Sequence, residues 1–62
     1  MNRLLELRKK ADETGDSMSK KTGYSRTSIY RWEEGINYPT LGAARDLANF
    51  FNTTVDEIWP IQ

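Results

Sequence analysis

The sequence predicts an all-α fold, a compact bundle of five short helices forming a single domain over residues 1–62. Three observations predict it. Apolar residues recur at three- and four-residue spacings, and no segment reads as a strand or a repeat. Hydroxyl residues stand in front of these segments, where helix N-caps belong, at Thr14, Ser25, Thr40 and Thr54. Gly23, Gly35, Asn52 and Pro60 stand behind them as stops.

The first helix spans about Asn2 to Ala11. Leu4, Leu5, Leu7 and Ala11 share one face, and Arg3, Glu6, Lys9 and Lys10 fall mainly on the others. Asp12 to Thr14 breaks it. Thr14 caps a short second helix from about Gly15 to Lys21, with Asp16 near its positive end and Lys20 and Lys21 near its negative end. Gly15 and the serines are weak helix formers, and only Met18 is clearly apolar there.

Gly23, in Thr22-Gly23-Tyr24, suits the positive φ of a helix end. The third helix begins at Ser25 or Arg26 and runs to about Glu34, with Ile29 and Trp32 as its apolar pair and Gly35 as its stop. Ile36 to Pro39 is a turn, with Tyr38 extended ahead of the proline. Thr40 caps a fourth helix to about Phe51, striped by Leu41, Ala44, Leu47, Ala48 and Phe51 and closed by Asn52 in the left-handed region. Thr54 with Glu57 makes a capping box for a short last helix, which Pro60 ends.

A chain this short has a small core and leans on disulfides, metals, oligomerisation or tight helix packing. It contains no cysteine and no histidine, which removes disulfides, thiolate metal sites, the commonest metal ligand and the commonest catalytic base. It also lacks a phosphate-cradling glycine loop and a plausible carboxylate cluster. The expectation is a protein that is not an enzyme and holds no metal or cofactor. No apolar run approaches a membrane span, and the N-terminus lacks the apolar stretch of a signal peptide, so a soluble cytoplasmic protein is expected. The start at Met1 and the ending soon after the last helix make a self-contained domain the expectation.

Nine basic and nine acidic residues give a net charge of zero, which by itself argues against a nucleic-acid partner. The distribution points the other way. Residues 1–35 hold eight basic and six acidic side chains, and residues 36–62 hold one basic and three acidic, so the N-terminal part carries the excess of positive charge.

The informative stretch is helix, tight glycine turn, helix, in KKTGYSRTSIYRWEEG. Two helices joined this way can present the second to the major groove of DNA. The stretch resembles the phage-repressor and Cro-like (Xre family) helix-turn-helix, and the resemblance runs from about Leu4 to Trp59. Its specific blocks are LLELRKKA, GYSRTSIYRWEEG, YPTL and TTVDEIW, in that order. It implies a lambda-repressor-like five-helix fold, with Gly23 as turn glycine, Ser19 where alanine is usual, and Ile29 and Trp32 as the buried positions of the recognition helix. It also implies an ion pair between Arg8 and Glu33.

With Ile29 and Trp32 turned inward, the outward face carries the candidate base contacts, ranked Arg26, Thr27, Arg31 and Tyr30. Candidate phosphate contacts are Thr14 and Gly15 at the start of the second helix, with Asp16 beside them, then Ser25, Ser28, Asn37 and Tyr38. Lys9, Lys10, Lys20 and Lys21 read as solvated charges with a diffuse steering role.

Four residues depart from the family pattern. Glu13 replaces a core leucine, Gly15 a DNA-touching glutamine, and Thr22 an apolar residue, while Asp16 adds an acid beside the phosphate site. Together they predict a loosened second helix and low DNA affinity for a monomer. Dimerisation would offset that, with Trp59 and Ile61 as the candidate dimer contacts, while Val55, Ile58 and much of Trp59 close the core. The function implied is that of a small Cro-type repressor binding a double-stranded operator as a homodimer, with no small-molecule ligand. The alternative is a protein-interaction or antitoxin-like module on the same fold, with weak or no DNA binding; the neutral charge and altered second helix favour it.

Overall fold

The computed structural model describes residues 2–60. Its helices are α1 (Leu4–Lys10), α2 (Gly15–Thr22), α3 (Arg26–Glu34), α4 (Leu41–Phe50) and α5 (Val55–Ile58), with no strand among the described residues. The core takes one fully buried large side chain from each helix: Leu4, Met18, Ile29, Leu47 and Ile58. Ala43, Ala44 and Ala48 add small buried surfaces that let α4 lie close to its neighbours. Leu7, Tyr24, Trp32, Phe50, Phe51, Val55 and Trp59 pack around this centre without being fully covered. The ends are joined, since the Arg3 N–H donates to the Ile58 carbonyl at 3.0 Å.

Four helices start from a Thr or Ser whose hydroxyl accepts a backbone N–H three residues on: Thr14 from Ser17, Ser25 from Ser28, Thr40 from Ala43 and Thr54 from Glu57. Around α2 the arrangement is reciprocal, because the Ser17 hydroxyl also accepts from the Thr14 N–H at 2.9 Å. Around α5 the hydroxyl bond alone is present. The stops are equally local. Gly35 and Asn52 turn left-handed, at φ 75° and 57°, and each begins a paired closure of the preceding helix. Gly35 N–H donates to Trp32 and Ile36 N–H to Arg31, while Asn52 N–H donates to Asn49 and Thr53 N–H to Ala48. Asp12, at φ 61°, does the same for α1, a left-handed cap without glycine.

Several boundaries and faces differ from the sequence expectation. α1 is shorter than Asn2 to Ala11, because Asn2 lies outside the helix. Its Oδ1 accepts from Leu4 N–H at 3.0 Å, and its Nδ2 donates to the Trp32 carbonyl at 2.8 Å, which ties the start of α1 to α3. Leu5 and Ala11, which the spacing assigns to the buried face of α1, are exposed, since the contact with the rest of the domain follows the Leu4–Leu7 edge. Leu41 is 61% exposed because it occupies the first position of α4, beyond the edge of the core.

The second helix spans Gly15–Thr22, and two of the residues that depart from the family pattern make hydrogen bonds within it. Glu13 accepts from Ser17 Oγ at 2.6 Å and from Lys21 Nζ at 2.8 Å, running as a polar staple along two turns. Thr22 Oγ1 donates to the Met18 carbonyl at 2.7 Å and accepts from Tyr24 N–H at 3.3 Å. These polar bonds stand beside the buried Met18, at positions where the family pattern has apolar residues.

Candidate nucleic-acid interface

The turn between α2 and α3 is set by Gly23, left-handed at φ 84°, whose N–H closes α2 on the Ser19 carbonyl. Tyr24 anchors its far side. Its ring packs edge-to-face on Trp32, with centroids 5.5 Å apart, and its hydroxyl donates to Asp46 of α4 at 2.5 Å. Hydrogen bonding to the Asp46 carboxylate, with some desolvation, holds the phenol above its usual pKa of 10.0. The turn is therefore fixed to both α3 and α4.

From behind, α3 is clamped by α1. Arg8 Nε donates to Glu33 at 2.5 Å, its Nη2 to the other Glu33 oxygen at 3.3 Å, and its Nη1 to the Glu13 carbonyl at 3.1 Å. The two side chains are only 14% and 5% exposed, so the fork is largely withdrawn from water. The Glu33 hydrogen bonds raise the Arg8 pKa further, outweighing desolvation, so this charge is permanent. The Arg8 guanidinium also lies 5.7 Å from the centre of the Tyr30 ring.

With Ile29 fully buried and Trp32 half-buried, Arg26, Thr27 and Arg31 lie exposed on the opposite side of α3. Tyr30 is 41% exposed and lies across the first residue of α2. An added Cβ on Gly15 would overlap the Tyr30 hydroxyl and sit 2.5 Å from its Cζ, so glycine makes room for the ring. This pairing explains Gly15, which is itself buried, as part of the α2–α3 contact.

The candidate phosphate contacts flank this face. Thr14 and Ser25 are exposed N-caps whose hydroxyls each accept a backbone N–H, and Ser25 also donates to Ser28 Oγ at 2.9 Å. Asn37 and Tyr38 are exposed in the α3–α4 loop. Asp16 does not stand free beside these groups; its Oδ1 accepts from Arg26 Nη1 at 2.7 Å, with both side chains exposed.

Sequence reasoning missed the contacts of Asn2, Glu13, Tyr24 and Asp16. Only Glu13 left a readable signal. Glu13, Ser17 and Lys21 are four residues apart in turn, a spacing that aligns them on one helix face. Trp59 is half-buried, while Ile61 lies outside the described residues. No group of three or more His, Cys, Asp or Glu able to hold a metal occurs among the described residues, and no helix there is long and apolar enough to cross a membrane.

The sequence profile of the helix-turn-helix family matches residues 4–58, which contain all five helices. The chain is also similar to the HTH-type transcriptional activator BcrR of Enterococcus faecalis, with 32% identity over 56 residues. That alignment takes in 90% of this chain but 28% of the relative, so the chain spans under a third of the relative's length. No solved structure matches at a significant level.

Proposed function

This chain belongs to the helix-turn-helix family, and from that premise we propose that it binds double-stranded DNA sequence-selectively through α3 and regulates transcription. One observation carries the reading. Arg26, Thr27 and Arg31 form an exposed row on α3, while Ile29 is buried behind them and α1, α2 and α4 fix the helix in place. A helix presented in this way fits the major groove, which is wide enough to admit it. Arg26 is the leading base reader, through guanine O6 and N7, followed by Thr27, Arg31 and Tyr30. Thr14, Ser25, Ser28, Asn37 and Tyr38 set the register on phosphates without specifying sequence, while Gly15, buried against Tyr30, serves the α2–α3 contact.

The chain is neutral, so one copy neutralises few phosphates and binds weakly. Two copies on half-sites one helical turn apart would make an effective binder. The surface proposed for that pairing is the apolar groove lined by Tyr38, Pro39, Leu41, Ala44, Val55 and Trp59. Tyr38 and Leu41 there are largely exposed. Sedimentation that finds only monomer, both at high concentration and on DNA, would remove the dimer.

The test is selection of binding sites from random duplexes, followed by titration of the winner at two salt concentrations. The reading expects a recovered consensus, affinity that falls as salt rises, and a loss of about 1–3 kcal/mol of discrimination at one base pair in Arg26→Ala. No consensus, together with tight binding to a protein, would favour the interaction-module reading, to which the exposed Ile36, Tyr38 and Leu41 lend support. A promoter–reporter carrying the selected site separates repression, the sign the Cro-like resemblance implies, from activation, the sign in the relative's name.

A further inference from the structure

Asp16 and Arg26 are ten residues apart and belong to different helices, yet they meet on the face that carries the base readers. Asp16 is the second residue of α2, and Arg26 is the first of α3. The ring of Tyr30 packs against Gly15, the residue next to Asp16, so the two helices that carry the pair are in contact beside it. The side chains are 69% and 57% exposed. A pair so exposed contributes little to folding, so its effect is to be sought elsewhere.

That effect lies in what the bond does to the guanidinium. It engages Nη1 only, and the Nε–H and Nη2 edge has no partner among the described residues. That edge retains the parallel N–H donors that match guanine O6 and N7. A free arginine at this position would have two outlets, the base edge and the nearest phosphate. The Asp16 carboxylate repels phosphate, and it orders a side chain that would otherwise lose rotamer freedom on binding. We propose that Asp16 is a specificity-determining positioning residue, which holds Arg26 toward a guanine edge and away from the DNA backbone. The inference rests on the DNA-binding reading above. It also assigns a use to the acid that looked unfavourable beside a phosphate site.

Asp16→Asn keeps the size of the side chain and removes its charge, and Asp16→Ala removes the acceptor as well. Both are titrated, with the unaltered chain and Arg26→Ala, against the selected duplex, a duplex changed only at the guanine pair lost in Arg26→Ala, and a random duplex. Asp16→Asn and Asp16→Ala should bind the random duplex more tightly than the unaltered chain. They should also lower discrimination at that one base pair by about three- to tenfold, the scale of ordering one long side chain. Discrimination at other positions should stay unchanged. In the Arg26→Ala background, Asp16→Asn should no longer alter discrimination at that pair, which a role in folding alone would not produce. If the Asp16 variants discriminate at the guanine pair as the unaltered chain does, the inference is overturned and DNA reading stands. If the unaltered chain shows no discrimination at any pair, the DNA reading itself fails.

Discussion

α2 and α3 each bury one large apolar side chain, Met18 and Ile29, whereas α4 alone buries Ala43, Ala44, Leu47 and Ala48. The two regions are held by different forces. α4 follows the usual rule for a small domain, in which apolar surface removed from water supplies the stability. The α2–α3 region buries Met18 and Ile29 and adds directed polar contacts to them: the Thr14–Ser17 box and Glu13 with Ser17 and Lys21 along α2, Arg8 of α1 with Glu33 of α3, and Tyr24 of the turn with Asp46 of α4. The Arg8–Glu33 fork and the Tyr24–Asp46 bond add direction to the packing of Ile29, which serves a helix that must present three side chains to a groove. The same contacts leave the outer surface of the reading region polar.

The contrast is broken most severely at its apolar side. A domain of this size has total stability of about 3–9 kcal/mol. Leu47→Ala, at a fully buried position, should cost about 3–5 kcal/mol, the largest single loss of this set, read as a fall in the denaturation midpoint by circular dichroism. Next comes the clamp behind α3. Glu33→Gln leaves the Arg8 charge largely withdrawn from water without its partner, and should cost about 2–3 kcal/mol in denaturant titrations, below the range for fully buried pairs because Arg8 keeps some exposure. A melting curve unchanged by Glu33→Gln would show that polar contacts do not hold the reading region.

Gly15→Ala sharpens the comparison by sign. The new methyl overlaps Tyr30 and should cost about 1–3 kcal/mol, the range for overpacking. Repeated in a Tyr30→Ala chain, the substitution should turn neutral or stabilising, because alanine is the better helix former by up to about 1 kcal/mol. Thermal melts of the four chains measure this reversal.

The smallest effects are titrations. The Glu13 carboxyl lies below its usual pKa of 4.5, held there by hydrogen bonds from Lys21 and then Ser17. Its contribution is present above the unfolded-chain value and is lost as pH falls through the lower folded value, so Tm should drop in acid less in Glu13→Gln than in the unaltered chain. The Tyr24 phenol is shifted up, so its contribution is present below pH 10 and is lost as pH rises through the folded value. Tyr24→Phe should flatten that alkaline loss.

The sequence was legible wherever the signal is local. The hydroxyl caps, the left-handed Gly23, Gly35 and Asn52, and the inward Ile29 follow from residues a few positions apart. The contacts of Arg8 with Glu33 were reached through the family resemblance, since a separation of 25 residues carries no periodicity. Asp16 with Arg26, Tyr24 with Asp46, and Gly15 with Tyr30 were not legible, because each joins different helices at a distance that only the packed fold defines. The reading of α2 counted missing apolar residues and did not include the hydrogen bonds that Glu13 accepts from Ser17 and Lys21 and that Thr22 donates to the Met18 carbonyl.

The central claim is that the outward face of α3 meets DNA. Amide chemical-shift mapping with the selected duplex tests it directly. The account predicts that the largest changes cluster at residues 14–16, 25–31 and 36–38, in the starts of α2 and α3 and the loop after α3. Changes confined to residues 41, 44, 55 and 59, with α3 silent, would contradict it.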